Sequence, residues 1–368
     1  MKRAKKIGKI FLWIGIGIVG LIVICLVVLQ LHSRGALLPM RDAQGNVLEG
    51  AINEKLFVSI NGVDQGMFIR AEDASKPVLL FLHGGPGSPE LAILGEGDPE
   101  SRLEQDFVVC YWDQRGAGMS FSSDLDPAAM TLSQFVEDTK MVTEYLMDRF
   151  DQEKIYLLGH SWGSYLGIKT IEKYPMYYHA YMGVGQVSKQ QESERLAYDF
   201  LVEEAAGRND RTAGKKLSKY DRNAEDFPPD AYMQTRSSLM NKYGVGMMRS
   251  KAPMFDVVKN LLLFQGYTRD DKLNYMRGMM FSQEYLWENV TQDDLLVSAT
   301  RFEVPVFILH GEYDYQVSYT LAKAYYDIID APDKEFYSFA NSAHSPNLEE
   351  PEAFLKALRE IVARTAGG

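Results

Sequence analysis

The pentapeptide Gly159-His160-Ser161-Trp162-Gly163 stands between an apolar run, KIYLL, and a stretch with helical spacing, SYLGIKTIEKY. Glycine at both flanking positions suits a sharp strand-to-helix turn, where side chains would collide with neighbouring elements and the serine hydroxyl is lifted clear. A serine hydroxyl is a weak nucleophile at its free pKa, so the reading of Ser161 as a nucleophile demands a base within reach. Of the six histidines, His32, His83, His160, His179, His310 and His344, only His344 lies in a polar loop after the last strand-like run, ANSAHSPNLEEP. A mobile imidazole there can swing toward Ser161, although a surface histidine without a role is the competing explanation. The third member of such a relay is a carboxylate that orients the imidazole. Asp314 in HGEYDYQVS fits this place, with Glu312 as the nearby alternative. The chain order Ser161, Asp314, His344 is that of a serine relay built on strand-to-helix turns. The segment HGGPGSP, residues 83–89, supplies glycine-rich backbone for an oxyanion, and the backbone N–H groups of Gly85 and Trp162 are the expected donors.

These residues need a scaffold, and the hydrophobic pattern predicts one. EKLFVSING and GMFIRAED alternate and read as an antiparallel hairpin. PVLLFLH and DFVVCYWD are continuously apolar, as strands buried on both faces are. TLSQFVEDTKMVTEYLMDRF has helical periodicity and opens with a Thr131/Gln134 capping pair. Strand KIYLLG, helix WGSYLGIKTIEKY and strand HAYMGVG follow, an alternation that implies a parallel sheet. Residues 186–300 change character to helical stretches such as SERLAYDFLVEEAAG and NKYGVGMMRS, with no convincing strand. The sheet pattern resumes with VPVFILHG, helix SYTLAKAYYDII, strand KEFYSFA and a last helix beginning beside Pro351. Ligands of such sheets bind at the carboxyl ends of the strands, here beneath the helical insertion.

The first 34 residues hold six basic and no acidic residues, with MKRAKKIGK ahead of an uncharged run from Ile10 to Leu29. That run is long enough for a membrane-spanning helix, and the flanking cations predict a cytoplasmic N-terminus with the rest outside. A cleaved signal peptide is the competing reading. The remaining 33 basic and 50 acidic residues leave residues 35–368 at net −17. This excludes nucleic acid as a partner and mildly favours cationic ligands. The two cysteines, Cys25 and Cys110, have no partners at metal-ligand spacing and are too far apart to predict a disulfide. No metal or organic cofactor is required by the chemistry.

Taken together, HGGPG, YWDQRGAGMS, GHSWGSYLG, GEYD and AHSP resemble the proline iminopeptidase group of the α/β-hydrolase superfamily over roughly residues 50–365. The resemblance implies an α/β-hydrolase fold, a mostly parallel twisted sheet with helices on both faces and a helical lid, here preceded by one transmembrane helix. The expected organisation is a basic tip and anchor over 1–34, hydrolase core over 35–185, lid over 186–300 and core again over 301–368. The implied activity is removal of an N-terminal residue, often proline, from small peptides. Relatives of this kind hold the substrate ammonium with acidic lid residues, and Glu192 and Glu194 are the candidates, a solvated helix face being the alternative. Asp113 and Arg115 of WDQRG read as a buried pair that fixes loops, and Tyr232, Tyr243, Tyr267 and Trp287 as lid core. The expected partners are a small molecule or short peptide as substrate and membrane lipid around the N-terminal helix. Two other readings compete: a hydrolase of esters, lipids or lactones with the same machinery, and a non-catalytic binding protein on the same scaffold.

Overall fold

Asn61 and Gly62 both hold positive φ, 48° and 79°, and form a two-residue turn whose twist matches the strands it joins. The turn connects β1 (Ile52–Ile60) to β2 (Val63–Ala71) as the antiparallel hairpin that the alternating runs predict. The computed structural model describes residues 13, 15–17, 19–20, 23–24, 27–94, 99–249 and 253–366.

The runs without alternation become β3 (Val78–Leu82), β4 (Val108–Trp112) and β5 (Ile155–His160), each buried at every position. With β6 (Tyr178–Val184), β7 (Val306–Gly311) and β8 (Lys334–Phe339) they complete one eight-stranded sheet of order β1-β2-β4-β3-β5-β6-β7-β8. β2 pairs antiparallel with both β1 and β4, and every pairing from β4 to β8 is parallel.

Between β3 and β6 lie α1 (Glu90–Leu94), α2 (Leu132–Phe150) and α3 (Trp162–Lys173). The stretch between β6 and β7 holds α4 (Gln190–Gly207), α5 (Arg211–Leu217), α6 (Asp230–Tyr243), α7 (Pro253–Leu263), α8 (Arg269–Gln292) and α9 (Leu295–Ser298). After β7 come α10 (Tyr319–Ile328), α11 (Pro346–Glu349) and α12 (Pro351–Thr365). Two apolar layers sandwich the sheet. Val142 and Leu146 of α2, Ile168 and Ile171 of α3 and Tyr325 of α10 cover one face. Leu91 of α1 and Phe354, Leu358 and Ile361 of α12 cover the other.

Thr131 caps α2, its Oγ1 accepting the Gln134 N–H at 3.2 Å. The Gln134 side chain does not return to Thr131; it donates to Asp138 Oδ1 at 2.8 Å. Within the insertion, α4–α6 enclose a small core of their own around Leu201, Phe227, Tyr232 and Met240. NKYGVGMMRS is not the single amphipathic helix that its composition suggests. Gly244 takes φ 70° and ends α6 at Tyr243, because a left-handed glycine closes a helix at its carboxyl end. Tyr232 and Tyr243 are buried in that small core, whereas Tyr267 is buried in the layer around Phe68 and Leu91 and the partly buried Trp287 packs on the opposite layer.

The amino-terminal expectation requires correction. A bilayer crossing needs an unbroken apolar helix of about 20 residues, and among the described residues no helix is long and apolar enough to cross a membrane. That overturns the single-pass, extracytoplasmic localisation and leaves the anchor and the lipid partner without support. Much of the run Ile10–Leu29, including Cys25, lies outside the described residues. Just beyond it the chain docks on the insertion. Lys272 Nζ donates to His32 O at 2.8 Å, and the Gly35 N–H donates to Tyr267 O at 3.3 Å.

Candidate active site

Ser161 sits between β5 and α3 with φ 56° and ψ −118°, a backbone conformation that costs an L-residue about 1–3 kcal/mol. Its neighbours enforce the strain. A methyl group on Gly159 would lie 2.2 Å from Gly163 O, and one on Gly163 would lie 2.0 Å from Leu82 O. Gly163→Ala is therefore expected to lower stability by about 3 kcal/mol, read as a fall in the urea midpoint at unchanged slope.

Asp314, in the loop after β7, is buried and receives four hydrogen bonds. Oδ1 accepts the N–H groups of Gln316 (2.9 Å) and Val317 (2.8 Å). Oδ2 lies 2.7 Å from His344 Nδ1 and 3.0 Å from His310 Nε2. Burial pushes this carboxyl up, but its attraction to the His344 imidazole and the bonds from both rings outweigh it and hold Asp314 well below the usual range. The Gln186 N–H donates to His310 Nδ1 at 3.2 Å, so the ring carries its proton on Nε2, facing Asp314 and Val317 O. Glu312, the alternative acid, is exposed.

His344 does not ride on a mobile surface loop: only 1% of it is accessible. The insertion reaches over it, Gly246 O accepting the His344 N–H at 3.2 Å. Its ring packs on Gly185, where an added methyl would lie 2.7 Å from Cε1, and its centroid is 4.9 Å from that of His160. Both neighbours border the turn, since Ser161 follows His160 directly and its N–H donates to Val184 O at 2.9 Å. Burial holds His344 below its ordinary pKa despite Asp314. The ring is thus neutral, Nδ1–H toward Asp314, and Nε2 is a buried nitrogen with no hydrogen bond among the described residues. An imidazole in this state can accept a hydroxyl proton.

The glycine-rich loop after β3 closes against the turn. A methyl on Gly84 would sit 3.3 Å from Ser161 Cβ. Gly85 takes φ 115°, and neither its N–H nor that of Trp162 makes a hydrogen bond among the described residues. Gln114 of WDQRG ties the two segments together: its Oε1 accepts from Trp162 Nε1 at 2.9 Å and its Nε2 donates to His83 O at 3.2 Å. The His83 ring, pushed down to about 4 by burial, is neutral; Nδ1 donates to Gly84 O and Nε2 accepts the Gln114 N–H. Asp113 and Arg115 are both buried but do not pair with each other. Arg115 joins Asp138, while Asp113 accepts from Tyr267 Oη at 2.6 Å and from the Met119 N–H, its carboxyl raised to about 7 by burial.

The two lid carboxylates already have cationic partners. Glu192 pairs with Arg195 on the face of its own helix. Glu194 is wholly buried against Arg236 and Gln190, and both of those side chains also donate to Gln316 O, two residues past Asp314. Glu194 therefore braces the loop that carries the acid. Sequence reasoning passed over Glu90, His160, Gly185 and His310. Only the positions of His160 within the turn and of His310 at a strand end offered a signal.

A strained serine between glycines, a carboxylate-bound imidazole after later strands and a glycine-rich loop on this sheet fit a serine hydrolase of the α/β-hydrolase fold. The chain belongs to the serine aminopeptidase S33 family, which it matches over residues 102–351. It is 32% identical over 306 residues to the probable aminopeptidase YbaC of Bacillus subtilis, covering 82% of this chain and 93% of that one. It is 23% identical over 301 residues to a proline iminopeptidase of Heyndrickxia coagulans, covering 79% and 92% of the two chains. The crystal structure of the proline iminopeptidase of Mycobacterium smegmatis superposes with a TM-score of 0.58 at 18% identity, over 85% of this chain and 98% of that one, a likeness of fold.

Proposed function

We propose that the chain is an aminopeptidase that releases the N-terminal residue, proline among those accepted, from short peptides. The family and its aminopeptidase relatives support this reading. The observation that carries the chemistry is the 2.7 Å bond from His344 Nδ1 to Asp314, with Nε2 unbonded beside the Ser161 turn. Ser161 Oγ attacks the carbonyl carbon of the first residue while its proton passes to His344 Nε2. The N–H groups of Gly85 and Trp162 receive the oxyanion of the tetrahedral intermediate. The C–N bond then breaks, His344 protonates the leaving amine, and water, deprotonated by the same imidazole, releases the acyl group from Ser161. Asp314 keeps His344 in the required tautomer and stabilises its charged form.

In this reading residues 186–300 act as a lid that bounds the substrate. Glu192, partly exposed and paired among the described residues with Arg195 of its own helix, is the candidate for a substrate ammonium, whereas Glu194 stays with Arg236. A panel of proline and alanine arylamides, their N-acetyl forms and short acyl esters tests the proposal, with Ser161→Ala as blank. The free-amine arylamides are expected to turn over and the acetylated ones to lose about a hundredfold or more in kcat/KM, since a site built for an ammonium rejects its neutral analogue strongly. Turnover of the esters alone would replace the aminopeptidase with an esterase.

A further inference from the structure

His160 and Glu90 are buried titratable side chains that the acyl-transfer steps leave unused. His160 Nε2 lies 3.1 Å from the backbone carbonyl of His344. A carbonyl only accepts, so this nitrogen carries a proton. Nδ1 lies 3.0 Å from Glu90 Oε1. Glu90 closes the glycine-rich loop, and a methyl on Gly84, the residue before the candidate oxyanion donor Gly85, would lie 3.7 Å from the same Nδ1. Burial opposes both charges, but the attraction and hydrogen bond between them outweigh it, holding Glu90 below and His160 above their ordinary values.

We propose that Glu90 and His160 form a positioning ion pair that locks the oxyanion loop and the base loop in register across the nucleophile turn, and whose imidazolium, tilted against the His344 ring, opposes charging of that ring. The proposal rests on the reading of His344 as the base. The groups facing His344 are Asp314 from the acid loop, which favours its cation, and His160 and His310, which disfavour it. Glu90 faces His160 from the far side. Without the Glu90 charge His160 gives up its proton, and the cation nearest His344 disappears together with the more distant anion. His344 then protonates more readily, and activity falls most on the acid side.

The test is Glu90→Gln in the full chain, with kcat and KM measured from pH 6 to pH 8 on the best substrate of the panel. The expected result is kcat lower by about tenfold at pH 8 and about thirtyfold at pH 6, with KM within about twofold. A merely structural carboxylate would leave the ratio between the two pH values unchanged. His160→Gln, which keeps an N–H for the His344 carbonyl, is expected to show the same extra loss at pH 6 with a smaller loss at pH 8. Should Glu90→Gln not fold, nitrogen-15 spectra of histidine in the unaltered chain decide. One of the six histidines is expected to have both ring nitrogens protonated at pH 8, a signal absent from His160→Gln. Activity of Glu90→Gln within twofold at both pH values, or six neutral rings at pH 8, overturns the proposal. A fluorophosphonate separates the two failures: no labelling of Ser161 in the unaltered chain sinks the hydrolase reading itself, whereas labelling with an unmoved Glu90→Gln profile sinks only the positioning role.

Discussion

Ser161→Ala is expected to lower kcat/KM by about 10⁴-fold or more while leaving thermal unfolding unchanged. Alanine keeps the Cβ and accepts the same backbone strain as serine. The hydrogen bonds at this residue are made by its backbone: Ser164 donates to Ser161 O from both its N–H and its Oγ, at 2.8 and 2.6 Å. Deleting Oγ therefore breaks no bond that holds the turn. The oxyanion donors and the substrate contacts survive, and they set the residual rate. Steady-state kinetics and loss of fluorophosphonate labelling read the outcome. A variant within tenfold of the wild type would move the nucleophile elsewhere.

Asp314→Asn is expected to cost about 10⁴-fold in kcat and, unlike Ser161→Ala, about 3 kcal/mol of stability as well. An amide in place of Oδ2 favours the His344 tautomer with its proton on Nε2, where it cannot accept from Ser161. The same amide must face His310 Nε2, a donor fixed by the Gln186 N–H on the opposite side of that ring. A buried donor is left opposed by another donor. The sign of the pH dependence follows from the depressed pKa of Asp314. Its contribution to stability is complete above the unfolded carboxyl value of about 3.9. It is lost as pH falls below that value toward the lower folded one, because the unfolded chain takes up the proton first. Urea titrations between pH 3 and pH 7 are expected to show a shallower acid slope for Asp314→Asn than for the wild type. Equal slopes would mean that Asp314 is not ionised in the folded chain.

The strands and the glycine-flanked turn at Ser161 were legible because short-range sterics dictate them. Asn61-Gly62 can scarcely do other than turn, and Gly159 and Gly163 answer to backbone atoms a few ångströms away. Its place in the turn favours Asp314 over Glu312, and of the two it is Asp314 that is buried against His344. What the sequence concealed depends on packing between distant segments. His344 lies among Ser, Asn, Pro and Glu, a composition that predicts exposure, yet Gly246 of the insertion and Gly185 after β6 enclose it. Glu192 and Glu194 look alike along α4. Only the approach of Arg236 from α6 separates a buried brace from a partly exposed carboxylate. NKYGVGMMRS shows the local limit, where one left-handed glycine outweighs the propensity of its neighbours.

The backbone bonds from the insertion to the relay carry one more consequence. Gly246 O holds the amide of His344, Val245 O that of Tyr315, and Arg236 the carbonyl of Gln316. The helical insertion is stitched to the main chain at His344 and just past Asp314, so it is not an interchangeable module. Grafting a relative's insertion onto this sheet would unmoor the Asp314–His344 pair unless those seams were transplanted with it.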